Sequence, residues 1–309
     1  SIKRSKIFMN VLVIGGGGRE HALIWKLRQS PDCGTIYCIP GNGGISEIAV
    51  CVPDIKVNQP DKVIEFLNSG VNVGLVIVSP DNPLAEGLVD ILTDAGFKTF
   101  GPFKRAAEIE GSKVFAKQLM KKYGIPTADF EIFSDYEAAA EYIKNHDYPL
   151  VIKADGLAYG KGVIICKDYS EAVDALKQIM IEKEFGDAGN RVLIEKFLTG
   201  REVSMLCFTD GNVAVPMVSS QDYKRAFDGN KGLNTGGMGA ISPAPAYIEK
   251  VAEYTVKNII KPTISAMNSE GRKFKGVLYF GLMVTDDEKV YVIEYNARFG
   301  DPEAQAVLP

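Results

Sequence analysis

Short apolar runs and amphipathic stretches take turns from Val11 to Phe100. Val11–Ile14 is wholly apolar, as a strand buried on both faces should be, and leads into Gly15-Gly16-Gly17-Gly18. Arg19–Gln29 sets Ala22, Leu23, Trp25 and Leu27 among charged residues, which predicts a helix. Thr35–Ile39 is a second strand ending in Pro40-Gly41-Asn42-Gly43-Gly44. A helix over Asp61–Leu67, a strand over Gly74–Val78, a helix over Leu84–Leu92 and a strand over Lys98–Phe100 follow. Apolar strands separated by helices predict an open parallel sheet covered on both faces. Beyond Gly111 the texture changes. A helix over Ser112–Tyr123, closed by Gly124 and Pro126, precedes strands at Ala128–Phe133, Pro149–Ala154, Gly162–Lys167, Arg191–Phe197 and Glu202–Thr209. Helices are predicted at Tyr136–Lys144 and Ser170–Lys183, so this part reads as a compact α+β unit. Further strands at Val213–Val218, Val277–Thr285 and Lys289–Tyr295 flank a long helix, Ile248–Ser269, with Asp286-Asp287 as a hairpin tip. Ser219–Ser242 reads as one long loop, and its length points to an active-site wall.

Composition narrows the classes. The 309 residues are 46% apolar and 24% charged, enough for a sizeable core and a length that suits two domains. Lys and Arg number 35 against 39 Asp and Glu, a net charge of −4, so a partner of nucleic acid or anionic membrane is not expected. No apolar run reaches the roughly 18–20 residues of a membrane span. The five cysteines lack C-x-x-C spacing and only two histidines accompany them, which leaves too few ligands for structural zinc and disfavours Ser-His-Asp or Cys-His catalysis. Reduced, buried thiols in a cytoplasmic protein are the expectation. The chain stops at Leu308-Pro309 without a polar tail, which reads as a break rather than a natural terminus.

Candidate chemistry lies in four places. The turn Gly15–Gly18 at a helix N-terminus can face an anion. It fails the dinucleotide fingerprint, because Glu20 and His21 stand where the third glycine belongs, and the second strand ends in no acidic ribose ligand. A phosphate or phosphosugar site shared with Pro40–Gly44 and a turn serving only tight packing both remain open. Lys153-Ala154-Asp155-Gly156-Leu157-Ala158-Tyr159-Gly160-Lys161-Gly162 departs from a Walker A loop in spacing, yet its lysines can meet nucleotide phosphates; a hairpin with solvated lysines is the plain alternative. Strand alternation over Val290–Asn296 puts Val290, Val292, Glu294 and Asn296 on one face, so that Glu294 and Asn296 converge as two hard oxygen ligands suited to Mg²⁺ beside phosphates. Asp222-Tyr223-Lys224-Arg225 and Asn234-Thr235-Gly236-Gly237-Met238-Gly239 place charge beside a glycine run.

Taken in order, these stretches resemble the glycinamide ribonucleotide synthetase family, the phosphoribosylamine–glycine ligases of the ATP-grasp superfamily. The resemblance runs from about Met9 to Pro309. It also draws on Phe100-Gly101-Pro102, Glu110-Gly111-Ser112-Lys113, Ala226-Phe227-Asp228-Gly229 and Arg298-Phe299-Gly300-Asp301-Pro302-Glu303. The sequence departs from the family pattern at Tyr223, Asp81 and Ala304, where histidine, glutamate and threonine are usual.

The resemblance implies an α/β and α+β chain: an N-terminal parallel-sheet substrate-binding domain over 1–110 and an ATP-grasp domain over 111–309. A lid subdomain is expected at about 126–197, and the C-terminal domain into which the family continues is expected to be absent from these 309 residues. The implied reaction is ATP-dependent ligation of glycine to 5-phosphoribosylamine through glycyl phosphate, with another ATP-grasp carboxylate–amine ligase, or a nucleotide-binding module without ligase activity, as the alternatives. Lys113, Lys153, Glu195, Lys196, Phe197, Leu198, Glu202, Arg225 and Asn234 would bind ATP. Glu294 and Asn296 would hold Mg²⁺, with Mn²⁺ as an alternative. Arg298 and Lys153 would act in catalysis, and Gly16, Gly17, Gly18, Arg19, Asn42, Gly43, Asp222 and Lys224 would bind substrate. The partners are then small molecules, and the oligomeric state stays open, a monomer being compatible.

Overall fold

The computed structural model describes residues 8–157, 162–229 and 231–309, with the side chains of Leu233 and Asn234 outside that set. The chain opens with β1 (Met9–Gly15), α1 (Gly18–Leu27), β2 (Cys33–Pro40), β3 (Val50–Cys51), α2 (Pro60–Asn68) and β4 (Val73–Val78). It continues through α3 (Asp81–Glu86), α4 (Leu88–Asp94), β5 (Thr99–Phe100) and α5 (Lys104–Gly111). The five strands form one sheet in the order β3-β2-β1-β4-β5, and every pairing is parallel. Because β1 and β2 pair directly and in parallel, the turns after them open side by side at the carboxyl ends of the strands, the edge at which open parallel sheets bind ligands. The single helix expected over Leu84–Leu92 is two. Gly87 adopts φ +94°, a left-handed conformation that ends α3 and starts α4.

Next come α6 (Lys113–Tyr123), β6 (Phe130–Phe133), α7 (Tyr136–Ile143), β7 (Leu150–Ala154), β8 (Val163–Cys166), α8 (Tyr169–Leu176) and β9 (Val192–Lys196). The strands make an antiparallel sheet, β6-β9-β7-β8, over its own core of Ile143, Ile152, Leu176, Ile179 and Ile194. The remaining elements are β10 (Arg201–Thr209), β11 (Ala214–Pro216), β12 (Gln221–Phe227), β13 (Lys231–Ile241), α9 (Glu249–Thr255), α10 (Lys261–Ser269), β14 (Gly276–Val284), β15 (Val290–Asn296) and α11 (Glu303–Val307). A second antiparallel sheet, β11-β10-β14-β15, shares the largest core with the N-terminal sheet: Leu12, Ile14, Met205, Phe280 and Val292 belong to one cluster. The helix expected over Ile248–Ser269 is continuous, with a π turn at Val256–Ile260 joining α9 to α10.

The expected loop Ser219–Ser242 is instead the hairpin β12–β13, in which Asp222 faces Ala240 and Arg225 faces Asn234. Glycines at positions Gly232, Gly236, Gly237 and Gly239 hide the strand period from sequence inspection, yet their backbones still pair. The five cysteines are free thiols, with Cys38, Cys166 and Cys207 buried. Among the described residues no helix is long and apolar enough to cross a membrane.

Candidate active site

The face of the second antiparallel sheet explains why Glu294 is where it is. Tyr279 pairs with Asn296 and Gly281 with Glu294, but Leu282 pairs with Val292, so Ile293 is an extra residue in β15. That bulge shifts the alternation. Val290, Val292 and Tyr295 enter the main core beside Phe280 and Leu282, while Glu294 and Asn296 share the opposite face with Tyr279, Gly281 and Ser204. The expectation that Val290 and Val292 share a face with Glu294 and Asn296 is therefore corrected, whereas the Glu294–Asn296 relation survives because both lie beyond the bulge. Gly281 leaves the room Glu294 needs: a Cβ there would lie 2.9 Å from the Glu294 Cγ.

Four cations act on this carboxylate. Burial alone would raise the Glu294 carboxyl, but Lys224, Lys153, Lys113 and Arg298 outweigh it and hold the group below its ordinary range. Lys153, at the end of β7, lies 2.9 Å from Glu195 Oε1 and donates to the Ile293 carbonyl at 3.3 Å. Lys113 opens α6 and donates to the Gly156 carbonyl at 2.7 Å; burial pushes its ammonium down. The helix start is pinned by Ser112, whose Oγ accepts from the Phe115 amide at 3.0 Å and donates to Asp155 Oδ1 at 2.9 Å. Asp155 also accepts from the Val114 amide and pairs with Arg191 at 2.5 Å, so the strand carrying Lys153 and the helix carrying Lys113 are tied together.

Arg298 is fixed by Glu110, 2.7 Å away, whose other oxygen accepts from the Ala297 amide at 2.7 Å. Its guanidinium also donates to Asn296 Oδ1 at 3.3 Å and to the Phe299 carbonyl at 3.1 Å. Lys224, on β12, reaches Asp222 at 3.5 Å and Glu202 at 3.8 Å, and the surrounding acids, Glu294 first among them, overcome its burial and raise it. Glu303 is buried and accepts from Ser204 and Tyr279 hydroxyls at 3.1 Å each.

The two glycine turns of the first domain meet as their adjacent strands require. Asn42 donates to the Gly16 carbonyl at 2.9 Å, and a Cβ on Gly16 would lie 2.7 Å from the Gly41 carbonyl oxygen. The amide of Gly17, expected to face an anion, donates to Glu20 at 2.6 Å; Arg19 pairs with the same carboxylate at 2.7 Å and donates to the Phe299 carbonyl at 3.2 Å. Arg19 thus joins the first domain to the Arg298 segment. Gly43 is exposed at the turn.

Of the other expected residues, Lys196 is exposed and Phe197 and Leu198 are half-buried in the β9–β10 connection. Arg225 donates to the Gly232 carbonyl at 2.7 Å within the hairpin, opposite Asn234, whose side chain lies outside the described residues, as does Lys161. Sequence reasoning missed Glu110, Lys117, Glu20 and the Ser204–Tyr279–Glu303 set. The available signal for Lys117 was its place one turn after Lys113 on an otherwise apolar helix face. Glu110 carries no local signal, since Arg298 and Ala297 are distant in sequence, whereas Glu20 had one in its place three residues after Gly17 at the start of α1, where a carboxylate can accept from the Gly17 amide.

Two hard oxygens, on Glu294 and Asn296, with four cations around them are a donor set whose chemistry would suit a divalent ion bound to phosphates. Among the described residues no three His, Cys, Asp or Glu side chains form a cage of their own.

Two family models match adjoining stretches that together span residues 9–304. Residues 9–110 match the phosphoribosylglycinamide synthetase N domain, and residues 111–304 match its ATP-grasp (A) domain. A phosphoribosylamine–glycine ligase of Halalkalibacterium halodurans is 49% identical over 301 residues, covering 97% of this chain and 70% of that protein. A bifunctional purine biosynthetic protein of Pichia angusta is 51% identical over 305 residues, 97% of this chain and 38% of that one. Among solved structures, the phosphoribosylamine–glycine ligase of Thermotoga maritima superposes with a TM-score of 0.83 at 34% identity, covering 97% of this chain and 71% of that one. A biotin carboxylase domain of Hydrogenobacter thermophilus shares the fold, with a TM-score of 0.74 at 18% identity over 96% of this chain and 65% of that one.

Proposed function

The chain belongs to the phosphoribosylglycinamide synthetase family, and from that premise we propose that it joins glycine to 5-phosphoribosylamine at the expense of ATP. The observation that carries this reading is the Glu294–Asn296 pair ringed by Lys113, Lys153, Lys224 and Arg298. A carboxylate cannot be attacked by an amine with loss of oxide. Transfer of the γ-phosphoryl group to the glycine carboxylate gives glycyl phosphate and ADP; the ribosylamine nitrogen then attacks the carbonyl and phosphate leaves.

The first step brings two anions together, so fixed positive charge at the site is its main requirement. Lys113 and Lys153 are assigned to the nucleotide phosphates and Arg298 to the transferred group. Glu294 and Asn296 would hold Mg²⁺, with Mn²⁺ as the alternative, and a bound ion would neutralise phosphate charge. Glu195–Leu198, Glu202, Arg225 and Asn234 are assigned to the rest of the nucleotide. Gly16–Arg19, Asn42, Gly43, Asp222 and Lys224 are assigned to the other substrates. The unit over 126–197, a sheet with its own core, is assigned as a lid that excludes water from the hydrolysable acyl phosphate. The partners are small molecules, in a cytoplasmic setting.

Glycine-dependent phosphate release from ATP tests the reading. Glu294→Ala should abolish most of it. Unchanged release with Mg²⁺ present would remove Glu294 from the metal assignment, and equal release with other amino acids would remove glycine as the substrate.

A further inference from the structure

Lys117 is a charged residue where an apolar one would be expected. It lies in the middle of α6, 2% exposed, and no step assigned above uses it. Its ammonium donates to Thr127 Oγ1 at 2.6 Å and lies 3.0 Å from Glu195 Oε2, with the Phe130 ring 5.5 Å away. Thr127 in turn donates to the Val292 carbonyl at 2.7 Å. Glu195, itself 4% exposed, therefore carries two lysines, Lys117 on one oxygen and Lys153 on the other. The two grips differ. Lys117 is anchored through Thr127 to β15, whereas Glu195 Oε1 meets Lys153 at 2.9 Å as an ion pair without an aligned hydrogen bond.

Lys153 has to exchange partners to meet a phosphate. As it stands, it is engaged by Glu195 and by the Ile293 carbonyl. Were Lys153 the only cation on Glu195, its departure would leave an uncompensated carboxylate in the interior, a strongly unfavourable state. Burial pushes the Lys117 ammonium down to about 8, and the Glu195 carboxylate beside it offsets part of that.

We propose that Lys117 is a positioning residue: a standing counter-ion for Glu195 that frees Lys153 to move onto a nucleotide phosphate. This rests on the reading of Lys153 as a phosphate ligand. Without Lys117, Glu195 holds Lys153 back, and the nucleotide binds with one cation fewer.

The experiment is calorimetric titration of the full chain with Mg-ATP, alongside steady-state turnover. Lys117→Met should weaken ATP binding by about tenfold or more and raise KM for ATP more than it lowers kcat. Lys117→Arg should keep most of the affinity. In a Glu195→Gln background, Lys117→Met should have no further effect on binding, whatever Glu195→Gln itself costs at the nucleotide site, because a neutral amide does not retain Lys153. The comparison of the double variant with Glu195→Gln alone serves even where Lys117→Met does not fold: the two should agree within about twofold. ATP affinity unchanged by Lys117→Met, or a loss equally large in the Glu195→Gln background, would overturn the proposal. Lys153→Met separates the two readings. If that variant binds Mg-ATP normally, the phosphate assignment itself is wrong; if it binds weakly while Lys117→Met binds normally, only the counter-ion role fails.

Discussion

Replacing Gly281 by alanine tests whether the position of the Glu294 carboxylate limits the reaction. Gly281 faces Glu294 across β14 and β15, and an alanine methyl would sit 2.9 Å from the Glu294 Cγ. Carbon atoms settle at about 3.5–4.0 Å, so the Glu294 stem would have to retreat by roughly 0.6–1.1 Å. The nearest backbone atom, the Glu294 carbonyl oxygen, would be 3.4 Å away, an ordinary contact, so the side chain moves and the strand pairing stays. A displacement near 1 Å at a catalytic group costs on the order of 10²-fold in rate, or about 2.7 kcal/mol of barrier. Overpacking itself would cost about 1–3 kcal/mol of stability. The assay is ADP release with saturating glycine and phosphoribosylamine, run beside urea unfolding. A folded Gly281→Ala protein with turnover within about threefold of the parent would refute the reasoning.

Two further outcomes follow from the same geometry. Glu294 is held below the ordinary carboxylate range in the folded protein, so it contributes stability that is present above the unfolded value near 4.5 and is lost as pH falls through the folded value. Glu294→Gln should therefore flatten the acid limb of stability, measured as urea midpoints at neutral pH and near pH 4; an unchanged slope would show that the surrounding lysines do not act on it. Ser112→Ala removes the N-cap of α6 and the link to Asp155, and should lower stability by about 0.5–2 kcal/mol, read from the shift in urea midpoint.

Several elements were legible from residue order because their causes are local. Apolar runs and helix periodicity gave the alternation of the first domain, and Gly124 and Pro126 marked the end of α6. The candidate metal pair was legible as i and i+2 on one strand. Its reason was only half right, since the alternation ran through Val290 and Val292 without the bulge at Ile293. A bulge is a property of two paired strands, and nothing in Val290–Asn296 alone announces it. The hairpin β12–β13 was read as a loop because glycine supplies no side-chain alternation, though its backbone pairs like any other.

The sequence by itself determined the alternating architecture, the glycine turns, and the lysines and acids available for charge stabilisation. Tertiary structure decided which of those charges meet. Glu110 reaches Arg298, Arg19 reaches the Phe299 carbonyl, and Lys117 and Lys153 share Glu195, across separations in the chain that no local period spans. Electrostatic energy depends on distance and burial rather than on spacing in sequence, so the ring of cations around Glu294 exists only once the sheets have closed on one another.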